Sequence, residues 1–138
     1  MLKPGRCRYG LMMNEDGFLF DDGVTVRLAK DHFLMHTTSG NADRIVGWLE
    51  EWHQTEWPEL KLFITPITEN YAQFAVAGPH SREILQKLEG TIDFSREAFA
   101  PLDYKAGELC GVPVRIYRIS FSGELSYEVC MPANSGLA

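Results

Sequence analysis

Acidic residues at two places in this chain could do chemistry. Asp21 and Asp22 close the stretch EDGFLFDDG (Glu15–Gly23), and Glu128 sits inside SYEVCM (Ser126–Met131). A carboxylate can accept charge-assisted hydrogen bonds from N–H donors, steady a nearby cation and take up a proton. Asp21 and Asp22 are neighbours on an extended or bent chain, so their side chains should diverge. One is expected to face inward and the other solvent, which rules out a shared-proton pair. Around Glu128 the alternation places Tyr127, Val129 and Met131 on one strand face, with Ser126, Glu128 and Cys130 on the other. That second face suits either a solvated surface or the wall of a polar pocket. On pattern alone both sites also have an ordinary structural reading, since Asp is common at bends and Glu on exposed strands.

Other chemistries find less support. His32 and His36 flank FLM in an expected strand, which would set them about 13 Å apart along one face. That is too far for shared ligation, so no metal site is expected. SFSGE (Ser120–Glu124) is not a Gly-x-Ser-x-Gly elbow, and no glycine-rich dinucleotide loop occurs. Cys7, Cys110 and Cys130 are far apart and odd in number, which suits reduced thiols in the cytoplasm rather than a disulfide framework. Cys110 is expected to be a small buried residue.

The elements that must carry the acidic residues follow from spacing. Tyr9–Asn14 and Phe18–Phe20 are expected to pair through the Asp16-Gly17 turn. Asp21-Asp22-Gly23 then reads as a bend before the alternating strand Val24–Leu28, and Phe33–Thr38 as a further strand. Ile45, Trp48, Leu49 and Trp52 recur on a helical period, with Asn41 as N-cap and Pro58 closing the region. Leu60–Ile64 and Tyr71–Ala77 read as strands, and Ser81 can cap a short helix carrying Ile84, Leu85 and Leu88. A turn-rich stretch from Gly90 to Gly107 precedes the strands Val112–Ser120 and Ser126–Met131. The fold class expected is α+β, a mostly antiparallel sheet with helices on one face.

Bulk properties narrow the partners. The 138 residues, 45% hydrophobic and 23% charged, suit one folded domain spanning 1–138. A net charge of −6 argues against nucleic acid and anionic membranes. No apolar run is long enough to span a bilayer, and MLKPGRCRYG does not read as a signal peptide.

Three segments together resemble a known family. CRYGLMMNEDGFLFDDGVTVRL (Cys7–Leu28), AQFAVAGPHSREIL (Ala72–Leu85) and RISFSGELSYEVCMP (Arg118–Pro132) are similar to the folate-binding region of the glycine-cleavage T-protein (aminomethyltransferase) superfamily. The details RCRYG, EDGF, WPEL and SFSGE resemble most the α-subunit branch of heterotetrameric sarcosine oxidases. The resemblance implies a ferredoxin-like part of the T-protein fold, with the chain a fragment of a larger subunit. It places Asp22 at the reacting end of tetrahydrofolate as the catalytic carboxylate. It gives Glu128 the pterin edge, and Tyr9, Thr38 and Phe121 further folate contacts. Thr38 falls where T-proteins usually carry asparagine, and Phe121 where they carry a tyrosine whose hydroxyl is absent here.

The function so implied is trapping of the one-carbon unit from sarcosine demethylation as 5,10-methylenetetrahydrofolate. Flavin and NAD would lie in parts of the complex absent from this chain, so the fragment alone should lack the oxidase reaction. The partners implied are the remaining domain of the same subunit, the other oxidase subunits and the small-molecule folate. Two other readings stay open: an aminomethyltransferase fragment and a non-catalytic folate-binding scaffold. Asp21 is expected to be the solvent-facing neighbour of Asp22.

Overall fold

The structure is a computed structural model that describes residues 1–137. In chain order its elements are β1 (Cys7–Met13), β2 (Leu19–Ala29), β3 (His32–His36), α1 (Ala42–Thr55), β4 (Tyr71–Ala77), α2 (Ser81–Leu85), β5 (Tyr104–Leu109), β6 (Val112–Tyr117) and β7 (Ser126–Pro132). They form a mixed α+β structure with two antiparallel sheets and one main helix. The chain divides into two compact units. One holds Met1–Arg8, Val26–Leu34 and everything described from Glu69 onward, the other Tyr9–Thr25 and Met35–Thr68.

The three-stranded sheet has the order β1-β2-β3. Its first hairpin is built as Asp16-Gly17 implies. The Asn14 and Gly17 amides donate to Phe18 O (2.9 Å) and Asn14 O (3.0 Å), and Gly17 takes φ +80°. The Asn14 side chain closes the loop by accepting from the Phe18 amide at 2.8 Å. The expected bend at Asp21-Asp22-Gly23 is absent, because β2 runs straight through it for eleven residues. Gly23 makes this possible. A Cβ there would lie 1.8 Å from the His36 carbonyl oxygen, so only glycine lets the backbones pass this closely.

In the unit of Tyr9–Thr25 and Met35–Thr68, α1 follows the apolar stripe read from its spacing. Ile45 is buried, Trp48 stacks at a tilt on Phe20 with centroids 5.3 Å apart, and Trp52 stacks on Trp57 at 5.5 Å. Leu60–Ile64 is not a strand. It lies along the helix with no ladder partner, and His53 Nε2–H donates to Leu60 O at 2.7 Å. An apolar run becomes a strand only where another strand can pair with it.

The four-stranded sheet has the order β4-β7-β6-β5, a Greek-key arrangement. Tyr71 pairs with Pro132 and Ala77 with Ser126 along β4 and β7, and Ile116 pairs with Val129 between β6 and β7. β5 arises inside the stretch read as turns. Gly107 leaves space there for Ile92 and Thr91, which a Cβ would meet at 2.6 and 2.7 Å. The β5–β6 hairpin turns on Cys110 (φ +50°) and Gly111 (φ +78°), the left-handed pair of a two-residue turn that matches strand twist. Cys110 is therefore exposed, not buried as its size suggested. Beneath this sheet Phe94, Phe99 and Tyr127 form an aromatic triangle with centroids 5.5–5.9 Å apart. Leu85 of α2, Ile116 and Val129 pack with them. Phe99→Ala is expected to cost about 3–5 kcal/mol, read as a lower urea midpoint with an unchanged slope.

Candidate functional site

The acidic pair is set by β2. On a strand, adjacent side chains leave opposite faces, and Asp21 takes the inner one with only 7% of its surface exposed. This reverses the expectation for Asp21, which is the inward member of the pair. The reason lies in its donors. Asp21 Oδ1 accepts from the Asp22 amide and the Thr38 hydroxyl, both at 2.8 Å. Its Oδ2 accepts from Asn41 Nδ2 at 3.1 Å and, more weakly, from the Thr38 amide at 3.3 Å. Burial by itself would raise this carboxyl's pKa. Hydrogen bonds from Thr38, the Asp22 amide and Asn41 outweigh burial and hold it below the usual aspartate range.

Thr38 and Asn41 thereby take up different work from that expected. Thr38 follows β3, precedes the short 3-10 turn Ser39–Asn41, and gives both its donors to Asp21. Asn41 stands at the N-cap of α1 but makes no side-chain cap there; its Nδ2 donates instead to Asp21 Oδ2 and to Phe20 O (3.4 Å). Two cheap spacing signals, a strand end and an N-cap, converge on one carboxylate.

Asp22 leaves the opposite face of β2 and is half-buried. Tyr9 on β1, 56% exposed, donates its phenolic proton to Asp22 Oδ2 at 2.6 Å. That hydrogen bond, with a smaller contribution from burial, raises the Tyr9 pKa and keeps the phenol protonated. Of the residues singled out from sequence, the structure brings Tyr9 and Asp22 into contact, and ties Thr38 to Asp21.

Glu128 and Phe121 belong to the other compact unit. Glu128 projects from the middle of β7 between Ser126 and Cys130, which are 6% and 4% exposed. Its strand face is thus a sheltered polar wall rather than a solvated surface. Gln73 of β4, which pairs with Cys130 and so lies diagonally two residues from Glu128 on the ladder, donates its side-chain amide to Glu128 Oε2. Burial raises the Glu128 pKa above the usual range. Phe121 lies in the irregular segment before β7, with its ring fully exposed.

With this geometry in hand, the chain can be compared with known proteins. The family model of the GCVT N-terminal domain matches residues 1–138. The chain belongs to this family. It is 53% identical over 137 residues to the sarcosine oxidase subunit alpha of Corynebacterium sp. (strain U-96), covering 99% of this chain and 14% of that protein. The sarcosine oxidase subunit alpha of Rhizobium meliloti (strain 1021) is 45% identical, with 98% and 14% covered. A probable aminomethyltransferase of Haloarcula marismortui (strain ATCC 43049 / DSM 3752 / JCM 8966 / VKM B-1809) is 33% identical over 142 residues, with 99% and 38% covered. This GCVT-family chain therefore spans 14% of the length of the sarcosine oxidase α subunits it matches. Among its described residues no helix is long and apolar enough to cross a membrane.

Gln73 is the partner that sequence reading missed. The signal lay in register: on antiparallel strands β4 and β7, residues of the same face meet diagonally, but that pairing is invisible until the strands are aligned. A second feature of the unit holding Asp22 is an apolar groove of about 420 Å³ lined by Trp48, Trp52 and Trp57, which includes none of these acidic residues.

Gly23→Ala should force β2 from β3 beside Thr38 and destabilise the protein by about 1–3 kcal/mol, seen as a lower thermal midpoint. The depressed Asp21 pKa adds stability that is present in full above the unfolded aspartate value of about 3.9. It is lost as pH falls through the lower folded value. Urea unfolding across pH should therefore find Asp21→Asn less stable than wild type near neutrality, with the gap closing in acid below that value.

Proposed function

We propose that this chain is a tetrahydrofolate-binding, one-carbon-accepting segment of a sarcosine oxidase α subunit. The observation that supports this reading most is the 2.6 Å hydrogen bond from Tyr9 to Asp22. It joins Asp22, which the family resemblance puts at the reacting end of folate, to Tyr9, which it gives as a folate contact, thirteen positions apart in sequence. The identities of 53% and 45% to two sarcosine oxidase α subunits, against 33% to an aminomethyltransferase, favour the oxidase context.

In this reading tetrahydrofolate supplies the amine that takes up the one-carbon unit. Asp22 steadies positive charge at that unit and accepts the proton released as the new bond forms. Tyr9, by donating to Asp22 Oδ2, fixes the carboxylate's orientation and leaves Oδ1 for the reaction. Glu128 takes the pterin edge, where a carboxylate can accept two N–H donors in parallel. Thr38 and Phe121 contribute a hydroxyl oxygen and an aromatic face. Phe121 carries no hydroxyl to donate, which sets it apart from the tyrosine of T-proteins and counts against glycine-cleavage activity. The oxidative step, with flavin and NAD, belongs to other parts of the subunit and to partner subunits, in the cytoplasm.

The test is titration of the full-length protein with tetrahydrofolate, followed through tryptophan quenching, alongside an assay of methylene transfer. Glu128→Gln should weaken binding by about tenfold or more, the worth of a charged hydrogen bond. Asp22→Ala should leave affinity within a few-fold and cut transfer by about 10²-fold or more. Because burial raises the Glu128 pKa, wild-type affinity should start to fall at a pH above the ordinary glutamate value of about 4.3, and Glu128→Gln should erase that dependence. Unchanged binding and transfer in both variants would sink the assignment.

A further inference from the structure

Glu128 stands at the border between a covered and an open part of its sheet face. Directly across from it on β6 is Tyr117, which is wholly buried, and directly across on β4 is Ala75, which is exposed. Cross-strand partners share a face. The open approach to the carboxylate therefore runs over Ala75, whose methyl group leaves it clear, on an edge strand of the sheet. Gln73 lies two residues before Ala75 on the same face, about 7 Å along the strand, and is exposed as well. Its side-chain amide can take only one orientation. An ionised carboxylate accepts and cannot donate, so the atom that meets Glu128 Oε2 is the amide nitrogen, not the amide oxygen. That nitrogen carries two protons. Glu128 holds one, and the other meets no partner among the described residues. Carboxylate and amide together offer a ligand acceptors with a donor beside them.

We propose that Gln73 is a specificity-determining residue of the ligand site at Glu128, its second amide proton donating to a carbonyl oxygen that adjoins the N–H groups taken by the carboxylate. The inference rests on the folate reading above and deepens it. Along one edge a reduced pterin presents an amino group, a ring N–H and then a carbonyl. The two donors meet the Glu128 carboxylate, and the acceptor beside them meets Gln73. Glu128 thereby does two things: it binds the donors, and it fixes the Gln73 amide so that nitrogen rather than oxygen faces the carbonyl. An analogue with an amino group in place of that carbonyl sets donor against donor at Gln73 and leaves a polar group unsatisfied. Discrimination by an unpaired polar group is much steeper than discrimination by shape.

Gln73→Met tests this with little change of side-chain size, since it removes the donor from an exposed position. The full-length protein is titrated with tetrahydrofolate and with its 4-amino analogue, in which an amino group replaces the pterin carbonyl. The ratio of the two affinities is the readout, because a loss of folded protein scales both alike. Wild type should favour tetrahydrofolate by about tenfold or more, and Gln73→Met should lower that ratio about threefold to tenfold. If Gln73 only held Glu128 in place, Gln73→Met would weaken both ligands equally and keep the ratio; that result overturns the proposal. Ala75→Leu tests the approach over β4 separately. It should weaken both ligands about tenfold or more while leaving the urea midpoint near that of wild type, and unchanged affinity in that variant would also overturn the proposal. A wild-type ratio near or below one would do the same and leave the folate reading intact. Wild type that binds neither ligand would overturn the folate reading and the role of Gln73 with it.

Discussion

A charged group taken out of water must be met by donors, and the Asp21 carboxylate organises its surroundings around that demand. The cost of its burial is offset here by the Thr38 hydroxyl and amide, the Asn41 side chain and the Asp22 amide. Those donors come from three places: β2 itself, the exit of β3 and the start of α1. Through these bonds one carboxylate ties β2 to the exit of β3 and to the start of α1. Because Asp21 faces in, Asp22 must face out, toward Tyr9.

The other unit meets its constraint with apolar packing. Tyr127 and Val129 face the aromatic core from β7, so Glu128 between them must leave by the opposite face. Ser126 and Cys130 are buried on either side of it, and Gln73 donates to it. A carboxylate so sheltered has a raised proton affinity, the reverse of Asp21. Asp21 receives enough hydrogen bonds to overcome burial, whereas at Glu128 burial dominates. The same side-chain chemistry is therefore shifted in opposite directions at the two positions.

Much of this was legible from spacing. The Asp16-Gly17 hairpin, the helix stripe of Ile45, Trp48, Leu49 and Trp52, the strand Tyr71–Ala77 and the strand carrying Glu128 all follow from local pattern. Each of these signals is carried by residues close in sequence. The misreadings share the opposite character. Asp-Asp-Gly looks like a bend by composition, but Gly23 serves there to admit the His36 carbonyl from a neighbouring strand. Cys110 looks buried by size, but its neighbour Gly111 places it in a left-handed turn. Leu60–Ile64 looks like a strand, but no strand lies beside it to complete the ladder.

The amino-acid sequence by itself determined the α+β class, the family and the identity of the acidic residues, because periodicity and motif spacing are properties of the chain alone. It also required that Asp21 and Asp22 diverge, since adjacent residues on a strand cannot share a face. Which of the two would be buried was beyond it. That choice was made by Thr38 and Asn41, seventeen and twenty residues away, whose donors are in reach of only one of the pair. The partnership of Glu128 with Gln73, 55 positions away, was decided in the same manner by strand register. Hydrogen bonds between distant residues form only once folding has brought their strands and turns together, so tertiary structure alone assigned the partners.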